Sequence, residues 1–200
     1  MIPLALIRHG PTEWSDLKRY QGRIDTPLSE AGRAAVRTWR VPAAYQSYDW
    51  FSSPLARARE TATILGARDM TIAPELIEMD WGDYQGHTYE ALQARYGAAM
   101  TDNEARGLDF QPPGGESPRQ VIARLRPWLA ARARSGRPSL AVVHRGIVRA
   151  LLAHATGWPM IGPPPARLDW TALHLFNLDG DGGFQVERLN IALGQNATAS

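Results

Sequence analysis

Leu4-Ala5-Leu6-Ile7-Arg8-His9-Gly10, near the start of the 200-residue chain, is an unbroken apolar run that ends on a charged pair and a glycine. Apolar residues in a row, without alternation, describe a strand buried on both faces. The pattern returns at Leu140-Ala141-Val142-Val143-His144-Arg145-Gly146. Ligands of open α/β sheets gather beyond the carboxyl ends of parallel strands, so the two histidines are expected to converge on one crevice. A glycine just beyond each histidine lets the chain turn and a ligand approach the backbone. One histidine at a strand end is more often structural. The repetition makes these two candidates.

Outward from these strands, short apolar runs alternate with longer helical patterns, which predicts an α/β fold. Ser29 caps a helix to about Arg40. Tyr48 to Ser52 reads as a strand, and Pro54 falls in the first turn of a helix to about Leu65. Met70 to Ile72 is a short strand, and Thr88 caps a helix over Tyr89 to Tyr96. The breaker Gln111-Pro112-Pro113-Gly114-Gly115 leads into Ser117-Pro118-Arg119-Gln120, a capping-box pattern with proline at the first helical position. That helix reaches about Arg134, with Val121, Leu125, Trp128 and Leu129 on one face. Another covers Ile147 to Thr156. Strands at Ala172 to Leu178 and Phe184 to Leu189 flank the turn Asp179-Gly180-Asp181-Gly182-Gly183. With no repeat and no linker, residues 1–191 read as one domain and 192–200 as a small, polar, frayed tail.

Composition narrows the function classes. Apolar residues make up 44% and charged residues 21%, ordinary for a soluble globular protein. Without cysteine there are no disulfides, thiolate nucleophiles or cysteine zinc sites, which fits a reducing compartment. The opening Met1 to Ile7 has no basic lead-in and is too short for a signal peptide or a membrane span. A cytoplasmic protein without membrane contact is the expectation. All the cationic residues except Lys18 are arginines, and they alternate with acids around a net charge of only +2. No basic stripe offers itself to nucleic acid.

A third strand end, Ser52-Ser53-Pro54-Leu55-Ala56-Arg57-Ala58-Arg59-Glu60-Thr61-Ala62, sets Arg57 in the first turn of a helix. A guanidinium fork beside a helix N-terminus suits phosphoryl oxygens. Pairing with neighbouring acids would account for Arg57 and Arg59 equally well, and these residues alone leave both readings open.

The ordered set of motifs resembles the histidine phosphatase (phosphoglycerate-mutase-like) superfamily. It comprises Leu6 to Trp14, Arg19-Tyr20-Gln21-Gly22-Arg23, Pro27 to Gly32 and Ser52 to Ala62. It continues with Leu76-Ile77-Glu78 followed by Gly82 and Gly86, Pro113-Gly114-Gly115-Glu116-Ser117, and Val143 to Gly146 with Arg149-Ala150-Leu151. The resemblance implies a three-layer α/β/α sandwich around a mostly parallel central sheet. It implies that His9 takes the phosphoryl group, that Arg8, Arg57 and His144 hold its oxygens, and that Glu78 acts as general acid and base. Thr12, Gln21 and Gly22 match positions lining the phosphate and substrate pocket.

No metal and no cofactor are implied: the arginines would offset phosphoryl charge that metal ions neutralise in other enzymes. Asp80 and Asp83, near Glu78, read as loop acids rather than a magnesium site. Three departures from the family pattern stand out. Ser15 replaces a common asparagine and shortens a pocket hydrogen-bonding group. Pro11 stands where glutamate is frequent. Arg145 replaces a small residue, and either adds charge beside the phosphate or points away. A short insert between Gly86 and Pro113 leaves the pocket open to water and favours a phosphatase over a mutase. A non-catalytic phosphate-binding module would not need His9, Glu78 and His144 together. The expected partner is a small phosphomonoester, with Trp14, Tyr20, Trp81 and Tyr84 as a candidate apolar rim. The physiological ester and the oligomeric state are not legible.

Overall fold

The computed structural model describes residues 1–180 and 183–195. In chain order the elements are β1 (Ile2–Arg8), α1 (Glu13–Asp16), α2 (Glu30–Thr38), β2 (Trp39–Arg40), β3 (Asp49–Ser52), α3 (Ala56–Ile64) and β4 (Met70–Ile72). Then come α4 (Tyr89–Tyr96), α5 (Ala98–Glu104), α6 (Pro118–Ser135), β5 (Ser139–Val143), α7 (Arg145–Thr156), β6 (Ala172–Leu178), β7 (Phe184–Ala192) and β8 (Gly194–Gln195).

Six strands form one sheet in the order β4-β3-β5-β1-β6-β7. The β3–β4, β3–β5 and β1–β5 pairs are parallel. β6 runs antiparallel to both β1 and β7, so the sheet as a whole is mixed. Its two faces explain the unbroken apolar runs. Leu4 and Leu6 of β1, with Ala141 and Val143 of β5, pack into a core shared with Leu125 and Trp128 of α6 and with Ile147 and Leu151 of α7. The alternate residues Ala5, Ile7, Leu140 and Val142 enter a second core with Ala58 and Ala62 of α3. Each strand therefore feeds both cores, and the result is the expected sandwich of three layers. Burying one such leucine stabilises the fold by about 1.5–3 kcal/mol.

Local chemistry fixes the helix that follows the proline-glycine breaker. Ser117 Oγ accepts from Gln120 N–H at 3.2 Å while Gln120 Oε1 accepts from Ser117 N–H at 2.8 Å, the reciprocal capping box. Thr88 and Ser29 cap α4 and α2 without the return bond, each hydroxyl accepting one backbone N–H.

Several boundaries differ from expectation. The helix capped by Ser29 stops at Thr38, because Trp39–Arg40 leaves it to pair with Gly194–Gln195. That pairing, and the burial of Leu193 in the second core, carry regular contacts as far as Gln195, within the stretch from residue 192 that was expected to fray. Residues 196–200 of the tail, and Asp181-Gly182 of the turn, lie outside the described residues. Pro54 precedes α3 rather than opening its first turn, since Leu55 is the N-cap. Two short helices, α1 and α5, fall in stretches whose polar composition carried no helical period. Among the described residues no helix is long and apolar enough to cross a membrane.

Candidate active site

The order β3-β5-β1 brings three carboxyl ends side by side. The ladder continues one step past each outer strand: His9 N–H donates to Val143 O at 2.9 Å, and Ser53 N–H to Val142 O at 3.1 Å. Backbone bonds thus hold Arg8-His9, Ser53 and His144 in register. The His9 and His144 rings lie 5.1 Å apart between centroids. His9, 4% exposed, borders a cavity of about 800 Å³; His144, 0% exposed, is sealed behind it. His9 Nδ1 lies 2.7 Å from Gly10 O, an acceptor only, so Nδ1 carries the hydrogen and Nε2 keeps the lone pair. His144 Nε2 contacts Ser53 Oγ at 2.7 Å, and its Nδ1 has no partner among the described residues. Burial, then the neighbouring guanidiniums, keep both imidazoles well below the usual histidine range, hence neutral.

The glycines beyond the histidines serve packing more than ligand approach. A Cβ on Gly10 would strike Val36 of α2, and one on Gly146 would strike the Glu78 carboxylate.

Arg57, at the start of α3, is fully buried. It donates to Ile24 O at 2.9 Å and to Gly22 O at 2.7 Å, while its Nε finds no partner among the described residues. Nε of Arg8 is likewise buried without a partner, and its guanidinium sits 5.7 Å from the Trp170 ring. Burial, then the charge of Arg145, lower Arg8 to about 10, so it stays cationic at neutral pH. Buried cations with unused N–H groups are costly unless something anionic satisfies them.

Glu78, 7% exposed, borders the same cavity. Its Oε1 accepts from Met79 N–H at 2.8 Å and its Oε2 from Gly146 N–H, at the start of α7, at 3.1 Å. Burial pushes its pKa above the ordinary carboxyl value, although both N–H groups, Arg57 and Arg8 pull the other way. The loop carrying it is clamped from α6. Arg124 donates to Glu75 O, to Ile77 O at 2.7 Å and to Glu78 O at 3.3 Å. Glu116 bridges Arg124 at 3.0 Å and Arg23 at 2.9 Å. This clamp was not foreseen, because nothing in the sequence links positions some 46 residues apart.

The remaining candidates separate. Ser15, Gln21, Gly22 and Arg145 border the cavity. Thr12 does not: it is fully buried, and its hydroxyl accepts from Ser15 N–H at 3.1 Å to cap α1. Ser15 Oγ in turn donates to Thr12 O at 2.7 Å and accepts from Thr12 N–H at 2.8 Å, so the capping box already engages its hydroxyl. Gln21 Oε1 accepts from Thr26 at 2.9 Å. Arg145 turns toward the cavity, with its guanidinium 5.2 Å from the Trp170 ring. Tyr20 and Trp81 form the apolar wall, 4.4 Å between centroids. Tyr84 instead packs in a separate core with Leu92 and Met100, and Trp14 does not border the cavity. Trp170, in the turn before β6, was missed; its sequence neighbourhood carries no signal. Asp80 pairs with Arg23, and no group of carboxylates and histidines suited to a metal occurs among the described residues.

A neutral imidazole with one free lone pair, two buried guanidiniums and a carboxyl whose proton affinity burial raises suit a displacement at phosphorus. Comparison with known proteins points the same way. A family model described as the histidine phosphatase superfamily (branch 1) matches residues 4–192. A glucosyl-3-phosphoglycerate phosphatase of Mycolicibacterium vanbaalenii is 38% identical over 181 residues, covering 80% of this chain and 78% of its own. A 2,3-bisphosphoglycerate-dependent phosphoglycerate mutase of Methylobacterium radiotolerans is 30% identical over 191 residues, covering 89% and 90%. The solved structure of a mycobacterial glucosyl-3-phosphoglycerate phosphatase with VO3 superposes with a TM-score of 0.79 at 28% identity, covering 96% of this chain and all of that one.

Proposed function

The chain belongs to the histidine phosphatase superfamily, and from that membership and this cavity we propose that it hydrolyses small phosphomonoesters through a phosphohistidine on His9. The observation that supports the reading most is the Nδ1–Gly10 contact of 2.7 Å, which leaves the His9 lone pair on Nε2 in a cavity that Glu78 also borders. In the first step Nε2 attacks phosphorus, the ester P–O bond breaks, and Glu78 gives its proton to the departing alkoxide. Arg8 and Arg57 hold the phosphoryl oxygens. In the second step the Glu78 carboxylate takes a proton from water, the hydroxide attacks phosphorus and the P–N bond breaks. Inorganic phosphate leaves, and Glu78 is again protonated.

Return of the phosphoryl group to a second hydroxyl is the competing outcome. A short insert does not by itself separate the two, since the mutase relative is matched over 90% of its own length. Hydrolysis is favoured by a cavity of about 800 Å³ whose border includes the exposed Lys18 and Arg145, a route for water. Sugar phosphates and phosphorylated acids are the first esters to try, and the cysteine-free chain suits a reducing cytoplasm. The test is a panel of phosphomonoesters in excess chelator, with release of inorganic phosphate and transfer between acceptors followed in parallel. Metal-independent release is expected. A requirement for added magnesium or zinc, or transfer outrunning release, would overturn the proposal.

A further inference from the structure

The cavity holds more positive charge than a phosphoryl group needs. Arg145, the first residue of α7, is exposed at the cavity border, and its guanidinium makes no hydrogen bond or ion pair among the described residues. Arg149, one turn further along α7, also borders the cavity and stacks on Trp158 at 5.1 Å, again without a carboxylate. Arg8 and Arg145 share a single aromatic platform, with guanidinium carbons 5.7 and 5.2 Å from the Trp170 ring centroid. Like charges gathered this way work against one another. Arg145 lowers the proton affinity of Arg8 and of Arg149, in each case second to burial. The acids on the border are Asp16, at the end of α1, Glu78, held by the Met79 and Gly146 N–H groups, and Glu90 and Glu104 beside Tyr89, whose hydroxyl contacts Glu104 at 3.4 Å. None pairs with Arg145 or Arg149.

We infer that the cavity has a second anion subsite, built by Arg145 on Trp170 and Arg149 on Trp158, and that the preferred substrate carries another anionic group, carboxylate or phosphate, beside its phosphoryl ester. The inference rests on Arg8 and Arg57 being the phosphoryl end. Trp170 then acts as a spacer: it stabilises both guanidiniums by cation–π contact and keeps one in each subsite. A carboxylate offers two acceptor oxygens to a guanidinium fork, the geometry arginine recognises best. A neutral alcohol in the same place would leave the second cation without a counter-charge.

Binding of non-hydrolysable phosphonates tests this without turnover. Calorimetry on the wild-type protein would compare 3-phosphonopropionate and 4-phosphonobutyrate with propylphosphonate, which lacks the carboxylate, and with 1,3-propanediphosphonate. The doubly anionic ligands should bind at least about tenfold tighter, the scale of one charge-assisted pair at a partly exposed site. A carboxylate–phosphonate order among them identifies which second anion is preferred. In Arg145→Gln the ratio should fall toward one, and in the wild type it should shrink as salt rises. The ratio is the readout, so a general loss of affinity does not enter it. Equal binding of all ligands by the wild type, or an undiminished ratio in Arg145→Gln, would overturn the subsite. A protein that shows the contrast but releases no phosphate from any ester would retire the phosphatase reading and keep this one. An active phosphatase without the contrast would do the reverse.

Discussion

His9 and His144 lie 5.1 Å apart between ring centroids on neighbouring parallel strands, yet only His9 reaches the cavity. The proposed nucleophile and its neighbour are therefore distinguishable by chemistry. Rapid quenching with a labelled phosphomonoester should trap an acid-labile, base-stable phosphoprotein in the wild type and none in His9→Ala. Turnover in that variant should drop on the order of 10⁴-fold or more, as when other covalent enzymes lose their nucleophile. Label that survives the substitution would assign the attack to another residue.

Glu78→Gln keeps the size and polarity of the side chain but has no carboxylic proton to give. An alkyl phosphate expels an alkoxide that needs one, whereas p-nitrophenyl phosphate expels a phenolate that is stable near neutral pH. General acid catalysis contributes about 10²–10⁴-fold. Single-turnover formation of the phosphoenzyme should slow by that order for the alkyl ester and far less for the activated one. Equal losses would remove Glu78 from the role. Asp80 and Glu116 would then be poor substitutes, since both are engaged with Arg23.

Acid should weaken the fold through the same histidines that the site keeps neutral. His9 and His144 have depressed proton affinities in the folded chain and ordinary ones when unfolded. Their contribution is fully present above pH ~6.5 and fades as pH falls toward the depressed values, by up to about 1.4 kcal/mol per pH unit for each. Glu78 acts in the opposite sense, because its raised affinity adds stability below its unfolded pKa that is lost as pH rises through the folded one. Two histidines against one carboxyl leave a net rise in stability between about pH 5 and 6.5 from these groups. Urea midpoints across that window should climb with pH, and less steeply in His144→Asn. An unchanged slope in that variant would mean that His144 titrates normally in the folded protein.

Arg124 touches no substrate, yet it ties down three carbonyls of the Glu78 loop. Arg124→Met preserves length and removes the donors. The variant should lose about 1–3 kcal/mol of stability for the carbonyls left unpaired. Its kcat for alkyl esters should fall by about 10–100-fold, because a displaced acid costs geometry. With p-nitrophenyl phosphate the loss should be much smaller, the same leaving-group contrast as for Glu78→Gln. A uniform loss across esters would mean that Arg124 supports the fold alone.

The strand-end histidines were legible as candidates because two physical constraints act on few residues, whereas Arg57, on a helix, was left open between phosphate and a neighbouring acid. A strand buried on both faces must be apolar throughout, and its polar end must face the crevice. The capping residues Ser29, Thr88 and Ser117 were equally visible, since each cap acts within three residues of itself. What escaped notice depends on distance. The clamp of Arg124 on the Glu78 loop and the stacking of Arg8 and Arg145 on Trp170 bring together residues far apart in the chain, and no local period marks them. The pairing of Gly194–Gln195 with Trp39–Arg40 escaped notice for the same reason. Thr12 shows a different limit. Its position in the motif suggested ligand contact, while the structure uses it to cap α1 and hold Ser15.

The groups proposed for phosphoryl transfer sit on the strand ends, the start of α3 and the clamped Glu78 loop, while the cavity's outer wall draws on other loops: Tyr20, Trp81, Met160 and Trp170 belong to no strand. That division separates what heredity can alter cheaply from what it cannot. Exchanging a wall residue leaves the backbone ladder beneath His9 and His144 intact, so a descendant could acquire a new diet of esters while inheriting unaltered chemistry. Drift would therefore accumulate on the rim, and duplicated copies could part ways in appetite long before either lost its competence.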